Sequence, residues 1–343
     1  MKLMILSAVL ARAGTVISGR LACSLAPLVA GLALGALVIT VIEPAPRHEA
    51  RVTHPAEIEP AAGIVADPWP VIRFAAIPRP VPAPRPKPLR ELVPAWRVHA
   101  VAAPPIDGKP MIAVIIDDMG LDRRRSRHAA TLPAPLTLAY LPEARDLAVQ
   151  TRAARARGHE LLVHVPMEGS VPSGVNTLRP RHAAEELLRR LDWSLGRFEG
   201  FVGVNNHMGS RFTADPKGLR VILGALERRG LLFVDSRTTP DSAARSLAHA
   251  TGVPFTSRDV FLDHNRGKAE VEAQLVELER IAGRRGRAVA IGHPHQTTID
   301  VLRKWIPEAR RRGFVLVPIS TIVGQTRMLG RYKQRKSPAP PGA

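Results

Sequence analysis

The sequence predicts an α/β fold built as a barrel of parallel strands. Residues 110–322 alternate short β-branched or apolar runs with longer amphipathic segments, a pattern typical of strands joined by helical crossovers. Gly158, Gly230 and Gly313 follow helical segments, where a left-handed capping residue is favoured. About eight strands with crossover helices suit a closed barrel better than an open sheet.

The predicted elements follow one another in order along this region. The strands are predicted at 112–116, 136–141, 161–165, 201–205, 231–234, 253–255, 288–291 and 315–319. The helices between them are predicted at 144–157, 183–198, 217–229, 268–284 and 299–312, and the basic run 123–127 opens the first helix. We therefore expect one barrel domain over residues 110–322.

The N-terminal part of the chain has a different character. Residues 21–42 contain no charged side chain and are long enough to cross a ~30 Å hydrocarbon core as a helix. Three basic residues precede this run and Glu43 follows it, so the positive-inside rule places residues 1–20 in the cytoplasm. We expect a single-pass anchor at 21–43 in a bacterial inner membrane, with the barrel in the periplasm. The alternative is a cleaved signal peptide with an unusually long apolar region.

Two further segments lack the pattern of a folded domain. Roughly half of the 32 prolines lie between Pro44 and Pro105, and proline cannot donate the hydrogen bonds of a helix or a central strand. Residues 44–109 are predicted to be a Pro-rich disordered linker. Residues 323–343 are basic and end in a proline-rich stretch, which predicts a disordered tail.

The charge of the chain does not predict a nucleic-acid-binding protein. The net charge is +19, but residues 111–320 carry 32 basic and 23 acidic residues, so more than half of the excess lies in the flanks. Aromatic residues make up only 4% of the chain, too few for base-stacking platforms. Anionic lipids or acidic envelope polymers explain the charge equally well. The single cysteine, Cys23, excludes a disulfide within the chain and a cysteine-ligated metal site.

Polar side chains follow several predicted strands at the point where each strand ends. In a parallel barrel these ends converge on one face, where catalytic groups are found. The residues are Asp117 and Asp118 after the first strand, His164 and Glu168 after the third, Asn205, Asn206 and His207 after the fourth, Asp235, Ser236 and Arg237 after the fifth, and His293 and His295 after the seventh. Each one alone has a plain structural explanation, a turn or cap for the aspartates and a core position for the histidines. Together they offer imidazole and carboxylate ligands, the set that holds catalytic zinc.

Four motifs resemble one known family. Residues 115–118, 157–164 and 290–293 resemble the first, second and last motifs of polysaccharide deacetylases with the NodB-type barrel, a group of carbohydrate esterases. The match is better to the divergent polysaccharide deacetylase branch, the YibQ-like proteins. It runs through Ile-Ile-Asp-Asp-Met-Gly, His-Val-Pro-Met-Glu, Asn-Asn-His-Met-Gly-Ser and Gly-His-Pro-His, and it spans about residues 111–322. The resemblance implies a deformed barrel of the NodB type.

The resemblance also implies roles for individual residues. Asp117 matches the catalytic base, Asp118 and His164 match metal ligands, and His293 matches the general acid. Where the main family has a second histidine ligand this chain has Glu168, and residues 205–210 replace the arginine-bearing third motif.

The third ligand therefore stays open. Our preferred set is Asp118, His164 and His207. Glu168 is the competing third ligand or a partner that orients an imidazole, unless it forms a salt bridge with an arginine such as Arg211 or Arg237. Asp235 lies where the family orients its catalytic groups, and it is the other possible third ligand or a residue that holds Arg237 or a histidine in place. Asn206, Arg237 and His295 are predicted to contact substrate.

The function that follows is hydrolysis by a bound divalent metal, with zinc expected. The substrate would be an acetyl group on an envelope polysaccharide or glycan. A protein of the same fold that has lost hydrolysis and binds a glycan or an envelope protein is the alternative, favoured by the missing second histidine. A metal-dependent esterase or phosphoesterase would use the same residues, because one fold hosts many reactions.

Overall fold

A computed structural model describes residues 93–171 and 174–336 of the chain. The predicted cytoplasmic segment, membrane anchor and most of the predicted linker lie outside these residues. Across the part that is described, no helix combines the length and the apolar character needed to cross a bilayer.

The described residues form nine strands and nine helices. The strands are β1 (Met111–Met119), β2 (Thr137–Tyr140), β3 (Glu160–Met167), β4 (Gly203–Met208), β5 (Leu232–Asp235), β6 (Phe255–Ser257), β7 (Val260–Phe261), β8 (Arg287–Gly292) and β9 (Val315–Leu316). The helices are α1 (Ala95–Val98), α2 (Arg123–Ala129), α3 (Leu147–Ala156), α4 (Ala184–Leu195), α5 (Pro216–Arg228), α6 (Ala244–Thr251), α7 (Lys268–Arg285), α8 (Gln296–Arg311) and α9 (Ile319–Lys336). Each predicted strand overlaps an observed one, and β7 was not predicted.

All strand pairs are parallel, and the strand order is β6-β5-β4-β3-β2-β1-β8-β7. β9 pairs with β1 at Met111 and Ile112, below the point where β2 joins it at Ile115. No ladder of backbone hydrogen bonds joins β6 to β7 within the described residues, so the prediction of a closed barrel was wrong at this seam. The chain itself crosses the seam through Arg258 and Asp259, whose backbone N–H groups donate to the carbonyls of Asp235 on β5 and Val289 on β8.

Two apolar layers hold this open barrel together. Alternate strand residues such as Ala113, Leu162 and Ile291 fill the interior, and their neighbours on the other face pack against the surrounding helices. This alternation is the period of two expected for a strand, with both faces buried as in parallel sheets. Functional side chains in phase with the interior residues therefore emerge inside the barrel at its carboxyl end.

Both ends of the predicted domain extend further than predicted. Trp96 on α1 is 5% exposed and packs into the barrel interior with Ile322 and Val323 of α9. The prediction of disorder was therefore wrong for residues 93–109 and 323–336, the first being ordered and the second helical. The composition of these segments suggested disorder, because their proline and basic residues outnumber the few apolar side chains that anchor them to the barrel.

Buried polar groups fix the start of α9. The N–H of Ser320 donates to Oε1 of Glu160 at 2.9 Å, and the N–H of Ile319 donates to the hydroxyl of Thr137 at 3.1 Å. Oε2 of Glu160 also accepts from the N–H of Val101 at 3.2 Å. A carboxylate at a helix N-terminus satisfies free N–H groups and interacts favourably with the helix dipole. Glu160 thus joins the segment before β1 to the last helix.

Candidate metal centre

The two aspartates at the end of β1 reach the same cleft. Asp117 is 2% exposed and continues the inward face of Ala113 and Ile115. Asp118 has φ +55, and the register with β2 shifts between Ile116 and Met119. This left-handed bulge re-aims the second carboxylate, as bulges next to active sites commonly do. Nε2 of His164 consequently lies 3.6 Å from Oδ2 of Asp117 and 3.3 Å from Oδ1 of Asp118.

The turn after the pair requires glycine. Gly120 has φ +107, and a Cβ at this position would lie 2.7 Å from Cβ of Ala144. Its N–H donates to the Ser126 hydroxyl at 2.8 Å, which anchors the turn to α2. The Met119-Gly120 turn therefore fixes the direction in which the chain leaves the two carboxylates.

Asp118, His164 and His207 bring three ligand atoms within 4.8 Å of one another. Oδ1 of Asp118 lies 2.9 Å from Nδ1 of His207 and 3.3 Å from Nε2 of His164, and yet this buried oxygen has no hydrogen-bond partner among the described residues. Two imidazole nitrogens and a carboxylate oxygen are the ligand set of catalytic zinc sites, which leave one position open. These three residues fit a divalent cation, and the unpartnered oxygen is the atom that such an ion would satisfy.

Electrostatics favours an ionised Asp118. Burial opposes the charge, but His164 and His207 outweigh it and hold the pKa of Asp118 well below its usual range. Burial likewise opposes the charged form of His164, but Asp117 and Asp118 outweigh it and raise the pKa of that imidazole. A deprotonated carboxylate is the form that binds a metal.

Asn205 connects the candidate ligand His164 to Asp117. Its Oδ1 accepts from Nδ1 of His164 at 2.9 Å, and its Nδ2 donates to Oδ1 of Asp117 at 2.8 Å. The amide also reaches the Ser236 hydroxyl at 3.3 Å. Because Nδ1 of His164 donates to Asn205, Nε2 is the nitrogen that faces the other two ligands and that binds a metal when the imidazole is neutral.

Asp117 is the most deeply buried acid of the cleft. Burial raises its pKa, against the opposing effects of His164, His293 and the Asn205 hydrogen bond. A carboxyl group with a raised pKa is suited to take a proton near neutral pH.

His293 lines the same cleft and forms a carboxylate-histidine pair with Asp263. Its Nδ1 and its backbone N–H both donate to Asp263, at 2.9 and 2.7 Å, and Thr298 donates to the same carboxylate at 2.8 Å. Burial lowers the pKa of His293, but the Asp263 hydrogen bond and the nearby aspartates outweigh it and raise the pKa to about 8. Nε2 is left facing the cleft, 3.9 Å from Oδ2 of Asp118. A protonated imidazole in this position can donate a proton.

These groups line one cleft of about 470 Å³. Its walls are formed by Asp117, Asp118, His164, Asn206, His207, Met208, Ser236, Arg237, Thr238, Arg258, Phe261, His264, Ile291 and His293. The volume lies within the usual range for a small-molecule site. The five residues predicted to be catalytic or to bind the metal, Asp117, Asp118, His164, His207 and His293, therefore meet in a single cleft.

Glu168 does not join them. Its carboxylate lies 3.1 Å from Arg179, 3.7 Å from Arg181 and 3.9 Å from Arg211. The prediction of Glu168 as the competing third ligand or as the partner of an imidazole was wrong, and the alternative of a salt bridge is confirmed with Arg211 among its partners. The arginines draw the side chain toward the loop that follows β3.

Of the four remaining predicted residues, Asn206 and Arg237 line the cleft, and Asp235 and His295 lie outside its lining. Asp235 lies outside the cleft lining and accepts hydrogen bonds from the Arg237 N–H and the Ser242 hydroxyl, both at 2.8 Å, so it braces a loop. Asn206 lines the cleft, but its amide is engaged with the Ser236 N–H at 2.9 Å and the Met208 carbonyl at 2.6 Å. Arg237 is exposed at the cleft wall. The ring of His295 lies 5.7 Å from that of His293, outside the lining.

Three residues of the site had no firm role in the sequence prediction. Asn205 was noted only as a strand-end residue, Asp263 had no motif to mark it, and Arg258 lies on the seam between β6 and the unpredicted β7. Asn205 could have been recognised by its position opposite His164 in the register of β3 and β4. That register is known only once the two strands are paired in the structure.

Comparisons with known proteins agree with this architecture. Residues 114–323 match the family model described as divergent polysaccharide deacetylase. The chain is 32% identical over 246 residues to the uncharacterised protein YibQ of Escherichia coli, covering 71% of this chain and 74% of that protein. It is also 32% identical over 194 residues to an uncharacterised protein of Haemophilus influenzae, covering 56% of this chain and 69% of that protein.

A solved structure has the same fold over most of its length. It is the crystal structure of an uncharacterised protein from Agrobacterium tumefaciens C58, with a TM-score of 0.66 and 28% identity, covering 67% of this chain and 95% of that one. Together with the match over residues 114–323, these relationships show that the chain belongs to the divergent polysaccharide deacetylase family.

Proposed function

We propose that this protein is a metal-dependent hydrolase that removes acetyl groups from an envelope polysaccharide or glycan. The observation that carries the proposal is the buried, unpartnered Oδ1 of Asp118 between the nitrogens of His164 and His207. The family membership supports a carbohydrate substrate. Zinc is the proposed ion, because the ligands are two imidazoles and one carboxylate.

Asp118, His164 and His207 would hold the ion, with Asn205 fixing the orientation of His164. The ion would supply Lewis-acid polarisation of the acyl oxygen and would lower the pKa of water. Asp117, with its raised pKa, takes the proton from the attacking water. Burial under the barrel rim keeps this carboxylate out of bulk solvent.

His293 follows β8, the strand paired with β1, and lines the same cleft as Asp117. It completes the proton transfers. Its ring is held by Asp263, which favours the imidazolium form and points Nε2 into the cleft. That nitrogen donates a proton to the leaving amine or hydroxyl as the acyl bond breaks. Hydrolysis of an amide or ester requires a base and an acid, and Asp117 and His293 provide both in one cleft.

The alternative is a glycan- or protein-binding envelope protein that keeps the barrel without hydrolysis. The absence of the second motif histidine favours it, because Glu168 occupies that position and faces arginines. The paired base and acid favour the enzyme, since a binding protein needs neither. An uncleaved N-terminal helix would place either protein on the outer face of a bacterial inner membrane.

The test compares metal content and acetate release for the full-length protein and three variants. Purified wild type should hold close to one divalent ion and release acetate from acetylated chito-oligosaccharide or acetylated xylan. D117N should keep the ion and lose about 10²- to 10⁴-fold in turnover, as expected for loss of a general base. H207Q should lose the ion.

E168Q is the matched control, since it removes a carboxylate from the same region without touching the proposed ligands. It should retain the ion. An equally active D117N protein would contradict the assigned base. Less than about a tenth of an equivalent of metal in the wild type, with no acetate release, would favour the binding protein.

A further inference from the structure

Two arginines line the same cleft beside the candidate metal ligands. Arg237 is exposed at the cleft wall, and Arg258 follows β6 at the seam of the barrel. Their positions are built into the fold. The Arg237 N–H is held by Asp235, and the Arg258 guanidinium donates to the carbonyls of Ser236 and Arg237 at 2.7 and 2.8 Å.

Neither guanidinium forms a salt bridge with a carboxylate in the described part of the chain. The nearest acids are committed elsewhere. Asp235 accepts from Arg237 N–H and Ser242, and Asp259 accepts from the Val289 N–H and Arg285. Asp117 and Asp118 face the histidines instead. Arg258 is partly buried, and a partly buried cation without a paired counter-ion is unfavourable, because attraction to more distant acids does not fully offset its desolvation.

The remaining donors of Arg258 are available to a ligand. Nε and Nη2 are used by the two carbonyls, and Nη1 makes no hydrogen bond within residues 93–171 and 174–336. The guanidinium also lies 4.9 Å over the ring of Phe261, which in turn contacts the ring of His293 at 5.5 Å. Two backbone carbonyls and the Phe261 ring therefore position Arg258, and the same ring contacts the proposed general acid.

A neutral acetylated sugar would leave both positive charges unmatched. Planar guanidinium groups match carboxylate and phosphate in charge and in hydrogen-bond geometry. We propose that Arg237 and Arg258 select a glycan that carries an anionic group, a carboxylate or a phosphate, beside the acetylated sugar. This inference rests on the proposed function and names the class of substrate for that site.

The test uses pairs of oligosaccharides that differ only in the anionic group. One pair is acetylated tetragalacturonate and its methyl ester, and the other is acetylated chitotriose with and without a 6-phosphate. Acetate release is measured with the full-length protein. The corresponding unacetylated, fluorescently labelled oligosaccharides are used to measure binding, which does not depend on turnover.

Wild type should prefer the anionic member of at least one pair by about tenfold, the scale of one charge-assisted hydrogen bond. A preference within the galacturonate pair assigns a carboxylate, and one within the chitotriose pair assigns a phosphate. R237Q should lose most of the preference. R258K keeps the positive charge but loses the planar, two-pronged hydrogen-bond geometry of the guanidinium. It should retain part of the preference, and the loop of residues 236–237 should stay folded.

R245Q is the matched control for loss of one positive charge. Arg245 is exposed on α6, donates to the Ser257 hydroxyl and lines a different pocket, so the preference should remain. Equal turnover and equal binding of both members of each pair by wild type and R237Q would overturn the inference while leaving the hydrolase intact. Binding of an anionic oligosaccharide that R237Q weakens, with no acetate released from any substrate, would support the inference and count against the hydrolase.

Discussion

His164 and Asn205 lie opposite each other in the β3–β4 register, and the imidazole Nδ1 donates to the amide Oδ1 at 2.9 Å. The other end of the same amide donates to Asp117 at 2.8 Å. One buried asparagine thus sets the tautomer of a candidate metal ligand and holds the candidate base. Replacing Asn205 should affect both metal binding and proton transfer, and two different substitutions can separate these effects.

Asn205→Ala should weaken metal affinity about 10- to 100-fold, the usual effect of losing a group that orients a ligand. Asn205→Asp keeps an acceptor for His164 but places a second carboxylate beside Asp117, so it should keep the ion and lose turnover. Metal titration and acetate release measured on the same preparations check both expectations. Equal metal affinity in wild type and the alanine variant would show that Asn205 does not orient the ligand.

Most of the site residues could be predicted from the sequence because they lie at the carboxyl ends of strands. A β-branched run fixes the strand, and the parallel arrangement then brings Asp117, His164 and His293 to one face. The bulge at Asp118 was not predictable, since nothing in the dipeptide shows the left-handed backbone. Asp263 received no firm role from the sequence because it follows β7, a strand of two residues that is too short to give a periodic signal.

The ends of the domain were missed for a different reason. Trp96 lies among prolines, and Ile322 and Val323 precede a basic run, so local composition resembles that of a disordered segment. Their order comes from packing inside the barrel, together with the Glu160 contacts at the start of α9. These contacts join residues far apart in sequence, and no window of neighbouring residues reveals them.

Asp263→Asn should shift the alkaline limb of the activity profile to lower pH. His293 must be protonated to act as an acid, and Asp263 is the main group that raises its pKa against the effect of burial. Removing the charge lowers the pKa of His293, so the protonated fraction falls at a lower pH. The pH dependence of kcat/KM for wild type and variant measures the shift. An alkaline limb at the same pH in both proteins would exclude His293 as the acid.

His159 should make the fold sensitive to mild acid. The side chain is fully buried, Nδ1 accepts from the Leu136 N–H at 3.3 Å, and Nε2 donates to the Ala130 carbonyl at 3.1 Å. Burial lowers the pKa of His159 below 6.5, so the folded state holds it neutral. Below pH 6.5 the unfolded chain binds an extra proton here, and stability falls by up to about 1.4 kcal/mol per pH unit.

His159→Gln separates this contribution from other titrating groups. Glutamine can accept and donate one hydrogen bond each but does not titrate. The variant should be less stable than wild type at pH 7.5 by about 1 kcal/mol, and the difference should shrink as pH falls toward 5. Urea unfolding at several pH values gives both curves. A constant difference between the two proteins across this range would mean that His159 does not titrate on unfolding.

Trp96 and Gly324 provide the last test, which concerns the boundaries of the folded domain. Trp96 is 5% exposed, and a Cβ added at Gly324 on α9 would lie 3.6 Å from its ring, an ordinary contact distance. Trp96→Ala should therefore lower the free energy of unfolding by about 3–5 kcal/mol through loss of a large buried side chain. Gly324→Ala should raise it by about 0.5–1 kcal/mol, because alanine favours a helix over glycine.

The two substitutions together distinguish a folded element from a disordered tail. If α9 is part of the cooperative unit, Gly324→Ala stabilises the whole domain in a single unfolding transition. If residues 323–336 were disordered, the same change would leave the unfolding curve unmoved, since both states would gain equally. Chemical unfolding followed by Trp fluorescence and by circular dichroism should give the same curve with both probes for each protein, and the midpoint of Gly324→Ala should lie at a higher denaturant concentration than that of wild type.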